Sequence, residues 1–120
     1  MSSFCDITAT DLRQMIGRKD ISPVELVEAC IERIEMVDPS LNAFVTKNYE
    51  AARKTAKIAE KNVLEGELLG LLHGLPIGIK DLEATAGLRT TLGSKLYADH
   101  VPTADPVSYT HLTLPTNLSV

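Results

Sequence analysis

"HGLPIGIKDLEATAGLRTT", residues 73–91, is where the chain changes period. Before it, apolar residues recur at helical spacing. Within it, "LPIGIKD" is short, apolar and rich in isoleucine, the pattern of a strand covered on both faces. Lys80 and Asp81 close that run. Beyond them the chain turns loop-like, punctuated by Gly87, Gly93, four threonines and Pro102. A lysine here either ends a strand with a solvated charge or does chemistry, and the residues on either side decide between the two.

Toward the N-terminus lie three helical patterns. Thr8 or Thr10 can cap the first, with Leu12, Met15 and Ile16 on its apolar face and "GRKD" (17–20) at its end. The second has the firmer start. Ser22 is the N-cap, Pro23 takes the first helical position, and Glu25 stands three residues after the cap. Val27, Ile31 and Ile34 form its stripe, widened by Val24, Cys30 and Val37, and Asp38-Pro39 is expected to end it, because a residue before proline is pushed out of the α region. "LNAFVTK" (41–47) reads as an extended connector or a small edge strand. A third helix is expected over 49–64, with Ala52, Ala56, Ala59 and Val63 on its packing side. Helices leading into a buried strand indicate an α/β protein.

Bulk properties narrow the function classes. The 120 residues are 44% hydrophobic and 23% charged, a globular composition, and amount to at most one ordinary domain. A net charge of −4 with no basic run argues against nucleic-acid or anionic-membrane binding. Cys5 and Cys30 make no disulfide framework and no Cys/His pair has zinc-ligand spacing, so two reduced, inert thiols are expected. "MSSFCDITATDL" is not a signal peptide, and no apolar run approaches the roughly 20 residues a membrane span needs. A cytoplasmic protein is expected.

The last residues differ in character. "VSYTHLTLPTNLSV", 107–120, contains no Asp, Glu, Lys or Arg. Its alternation would suit an edge strand, yet "VSYTHLTLPT" resembles translated sequencing-adapter read-through. The expected division is therefore 1–106 as one unit and 107–120 as an unrelated tail, in which His111 has no role.

The residues quoted so far carry a resemblance. "LPIGIKD" (75–81), then "GLRTT" (87–91) and Gly93-Ser94, stand in the order and spacing of the amidase signature family, and residues 9–45 resemble its two N-terminal helices and connector. The likeness runs over about residues 7–105. It implies the N-terminal helices plus the first core strand of a mixed-sheet α/β fold, left incomplete here. It also implies hydrolysis of a carboxamide C–N bond by a Ser–cis-Ser–Lys triad, with Lys80 as the triad lysine. Such a lysine acts as base through a bridging serine, and with a free pKa of about 10.4 it needs burial or nearby positive charge to lose its proton. An apolar strand behind Lys80 would provide that setting.

The same resemblance exposes a gap. The family's two serines lie in a downstream Gly-Ser-rich motif, whereas after Lys80 this chain has only Ser94, Ser108 and Ser119. A local Ser94–Lys80 dyad is the weaker alternative, since nothing nearby supplies an oxyanion hole. The chain is thus expected to be an inactive N-terminal fragment of an amidase, with the unpaired edges of its lone strand seeking partners. Asp81 is expected to orient the lysine or the loop backbone, and Arg89 and His73 to be structural or solvated. Glu83, Asp99 and His100 lack metal-ligand spacing. No cofactor or metal is expected. The partner expected for the full-length enzyme is a small-molecule amide, with no direct nucleic-acid or membrane contact and a homo-oligomer admissible. Two other readings stay open: the amidase subunit of a tRNA-dependent amidotransferase, and a non-catalytic helical module.

Overall fold

A computed structural model describes residues 3–105; the expected tail and the boundary before it lie outside the described residues. Three helices form one layer, α1 (Ala9–Gly17), α2 (Pro23–Leu41) and α3 (Tyr49–Leu64), preceded by a 3₁₀ turn, Phe4–Asp6. A second 3₁₀ turn, Lys95–Tyr97, lies in the C-terminal loops.

The first two helices start on a local capping signal, whereas Asn48 before α3 makes no side-chain capping bond. The Thr8 hydroxyl accepts from the Asp11 amide at 3.2 Å, and the Ser22 hydroxyl accepts from the Glu25 amide at 3.0 Å with Pro23 in the first turn. The end of α1 differs from the expectation built on Gly17. Its left-handed residue is Lys19, at φ +66°, in a Schellman arrangement where Asp20 N–H reaches Met15 C=O at 2.8 Å.

The end of α2 corrects the sequence reading. Asp38-Pro39 does not stop the helix, which runs on to Leu41 with Pro39 inside it. Pro39 has no N–H to donate to the Glu35 carbonyl, so the last turn of α2 forms with one helical bond missing. The buried Asp38 carboxylate then shapes the exit: it accepts from the amides of Ala43 (2.7 Å) and Phe44 (3.2 Å), while left-handed Asn42 donates to its carbonyl at 2.7 Å. These bonds hold Asp38 helical against the preference imposed by the following proline. Burial works to raise the Asp38 carboxyl, but the Ala43 amide, the Lys47 ammonium at 3.2 Å and the Phe44 amide hold it below the ordinary range.

Helices α2 and α3 pack together. Their pairing is antiparallel: Leu26 shares a cluster with Val63, Glu28 bonds Arg53, and Glu35 bonds Tyr49. The core has two parts. Leu12, Ile16, Ile21, Leu26 and Val63 form the larger cluster, joining all three helices; Val27, Ile31 and Ala56 form the smaller. Ile16 and Leu26 are essentially inaccessible to water, so they supply the largest apolar transfer terms in the layer. Of the stripe expected on α2, Val37 is exposed, and Leu26 takes a larger share than the spacing suggested.

The segment leading to Lys80 is fastened onto this layer. His73 is buried with Nε2 2.9 Å from the Ala59 carbonyl, and Arg13 Nε donates to the Gly70 carbonyl at 2.9 Å. Leu69 and Leu75 pack on the larger cluster. From Pro76 the chain leaves that layer. Here too the sequence expectation is corrected: "LPIGIKD" is not a covered strand, and no strand occurs among the described residues. Pro76, Ile77, Gly78 and Lys80 are exposed. A strand is defined by its ladder partners, and the described residues provide none beside this run. "LNAFVTK" is likewise irregular, the connector rather than the edge strand.

Candidate functional site

An open cleft of about 300 Å³ lies where the connector after α2 faces the segment that ends in Lys80. Ala43 to Thr46 make one wall; Gly78, Ile79, Lys80 and Asp81 make the other; Leu88, Arg89 and Thr90 close one end. The Phe44 ring borders Gly78: a Cβ added at Gly78 would stand 3.6 Å from Phe44 Cε1. The sequence offered no reason to place the connector at the site. Asp38 does this, because its two amide bonds turn the chain at 43–44 as it leaves α2.

Lys80 is exposed on the cleft wall. The apolar cover expected behind it is absent from the described residues, for the same reason that the strand is absent. Its carbonyl accepts from the Glu83 amide at 3.0 Å, so Lys80 opens a tight turn. Asp81 is the organiser of the loop that follows. Its carboxylate accepts from the Thr91 amide at 2.7 Å and from the Thr91 hydroxyl, and its carbonyl accepts from the Leu92 amide at 3.0 Å. The Thr91 hydroxyl and then the Thr91 amide hold the Asp81 carboxyl below the usual carboxylate range, against a smaller opposing effect of burial. Of the two roles expected for Asp81, orienting the loop backbone is the one these contacts describe.

Arg89 clasps the site together. Its guanidinium donates to the Ala98 carbonyl and, at 3.2 Å, to the Thr46 hydroxyl of the opposite wall. The role is structural, as expected, and so is that of His73. Thr90 and Thr91 are buried, and the Thr90 amide donates to the His100 carbonyl at 2.9 Å. The "GLRTT" run therefore fixes loop shape, with Gly87 at φ +74° and its amide donating to the Pro102 carbonyl at 3.0 Å. Ser94 caps the second 3₁₀ turn, accepting from the Leu96 amide at 3.2 Å. Among the described residues no group of three or more His, Cys, Asp or Glu side chains could hold a metal ion, and no helix is long and apolar enough to cross a membrane.

This arrangement of helical layer, motif and loop is that of a known family. The Amidase family profile matches residues 25–114. The chain belongs to the amidase (amidase signature) family. It is 42% identical over 102 residues to a glutamyl-tRNA(Gln) amidotransferase subunit of Gluconobacter oxydans, a match spanning 85% of this chain and 20% of that protein. It is 40% identical over 101 residues to an acylamidase of Rhodococcus erythropolis, spanning 84% of this chain and 21% of that protein. A solved bacterial aryl acylamidase of the amidase signature family superposes with TM-score 0.77 at 38% identity, over 82% of this chain and 20% of its own. A chain from a vestigial complex related to the origins of an s-triazine catabolic enzyme superposes with TM-score 0.83 at 28% identity, over 92% and 24%. The chain thus spans about a fifth of the length of the relatives it matches. The α/β fold class follows from these neighbours, of which the described residues match a helical part amounting to about a fifth to a quarter.

Proposed function

We propose that residues 1–106 are the opening segment of an enzyme that hydrolyses a carboxamide C–N bond, with Lys80 as its catalytic base. The observation that carries this reading is the position of Lys80: it stands on the wall of the cleft, at the end of "LPIGIKD", with Asp81 and Thr91 fixing the loop behind it. In the mechanism the neutral lysine takes a proton through a bridging serine from the nucleophilic serine, whose oxygen attacks the amide carbonyl. The proton then returns to the leaving nitrogen, and water releases the acyl group. The relatives extend well beyond this span, and the two serines and the oxyanion donors are expected from such further segments. The 120 residues alone are therefore inactive. The substrate is a small or aryl carboxamide, the setting cytoplasmic, and no nucleic acid or membrane is contacted directly.

The test begins with the uninterrupted reading frame past codon 106. Two serines in a Gly-Ser-rich motif are expected there. In that longer enzyme, Lys80→Ala is expected to lower kcat for ammonia release from carboxamides by at least about 100-fold, with the circular dichroism unchanged. Undiminished hydrolysis by Lys80→Ala overturns the assignment, and so does hydrolysis by residues 1–120 alone. The second reading, one component of an amidotransferase, is favoured by the Gluconobacter relative. It predicts ammonia release from glutamine only in the presence of partner subunits.

A further inference from the structure

The 3₁₀ turn at the N-terminus lies across α2 at a point where two thiols meet. Cys5 Sγ is 3.8 Å from Cys30 Sγ, although the residues are 25 positions apart, and 3.7 Å from the Ala29 carbonyl. Both cysteines are free and half-buried. Neighbouring contacts hold the turn in place. The Cys5 amide donates to the Ser3 hydroxyl at 3.1 Å, Phe4 and Ile7 pack on the larger core cluster, and Arg33 on the next turn of α2 bonds Asp6 at 3.2 Å. The sulfurs are in van der Waals contact. A disulfide of about 2 Å needs the two sulfurs to approach by roughly a further 1.8 Å from their 3.8 Å contact.

We propose that Cys5 and Cys30 form a reversible intrachain disulfide that bolts the N-terminal turn to α2 when the chain meets a small-molecule disulfide such as oxidised glutathione. One cysteine thiolate attacks glutathione disulfide, forming a protein–glutathione mixed disulfide and releasing one glutathione thiolate. The second cysteine thiolate attacks the protein sulfur of that mixed disulfide, forming the Cys5–Cys30 bond and releasing the second glutathione. Two electrons pass from the protein thiols to the oxidant, and the two thiol protons end on two reduced glutathione molecules. Burial, with the Cys5 sulfur beside it, pushes the Cys30 thiol up to about 11. The Cys30 thiolate is therefore not stabilised in a way that would oppose the bond, unlike the strongly oxidising disulfides whose reduced form is stabilised. Among the described residues no third ligand joins the pair to make a metal set.

The test equilibrates the 120-residue chain with mixtures of reduced and oxidised glutathione, in buffer and in concentrated urea, and reads species by intact mass and non-reducing peptide mapping. The expected result is a Cys5–Cys30 link whose ring-closure constant is at least about tenfold larger in buffer than in urea. Cys5→Ser and Cys30→Ser are each expected to abolish the link and to stop at a mixed disulfide on the remaining thiol. The oxidised wild type is also expected to melt roughly 10 °C above the reduced form, a shift lacking in Cys30→Ser. Ring closure equal in buffer and urea, mixed disulfides alone on the wild type, or only intermolecular links would overturn the proposal.

Discussion

Replacing Gly74 with alanine tests how the segment that carries Lys80 is joined to the helices. Gly74 sits at φ +81°, a left-handed conformation that costs a residue with a side chain about 1–2 kcal/mol. Its surroundings add to this. A Cβ there would stand 2.9 Å from Pro23 Cγ and 3.1 Å from Ile16 Cδ1. Both neighbours are fully buried in the helical layer, so neither can yield cheaply, and overpacking of this kind costs about 1–3 kcal/mol. The expected total is roughly 2–5 kcal/mol, a large part of a small domain's stability. Gly66→Ala is the control. Gly66 has a similar φ of +73° but nothing within 4 Å of a new Cβ, so only the backbone cost of about 1–2 kcal/mol applies. Urea unfolding followed by far-UV circular dichroism measures both. Where Gly74→Ala leaves too little stability to fit, lost helical signal in buffer is the readout. Equal losses for the two variants, within about 0.5 kcal/mol, would refute the close approach of Gly74 to α1 and α2.

Two further outcomes are expected. The Asp81 carboxyl titrates lower in the folded chain than its unfolded value of about 3.9, so its contribution is fully present above that value and is lost as pH falls through the lower, folded one. Amide exchange protection at Thr91 should therefore fall on acidification below about pH 4, and Asp81→Asn should already lack it at neutral pH; unchanged protection in Asp81→Asn would remove Asp81 as the loop's organiser. The chain is also expected to self-associate with rising concentration, because Leu68, Leu71, Ile77, Leu82 and Leu96 lie exposed around the unpaired segment. Sedimentation that stays monomeric into the millimolar range would count against this.

Elements governed by local chemistry were legible in the residues themselves. Ser22-Pro23 and Glu25 specify the start of α2, and the alanine face with its lysine-rich opposite side specifies α3 over the observed 49–64. Caps and helical periodicity act over a few residues, so a short window contains the cause. The motif around Lys80 was legible in another way, through resemblance to a family, and the family match bears that resemblance out. The end of α2 was not legible. Asp38-Pro39 looks like a terminator until the Asp38 carboxylate is seen to collect two amides beyond the helix and the Lys47 ammonium.

The sequence by itself determined the three helices, their wet and dry faces and the membership of "LPIGIKD" and "GLRTT" in one motif. Tertiary structure decided what lies opposite what: the connector 43–46 across from Lys80, Arg89 bridging to Thr46, and Cys5 against Cys30. It also decided that "LPIGIKD", apolar enough for a buried strand, has no strand partner among the described residues. Helical hydrogen bonds close within the segment that makes them, whereas a strand's bonds must be completed by another segment. An apolar run can therefore announce a strand, but only a partner beside it can make one.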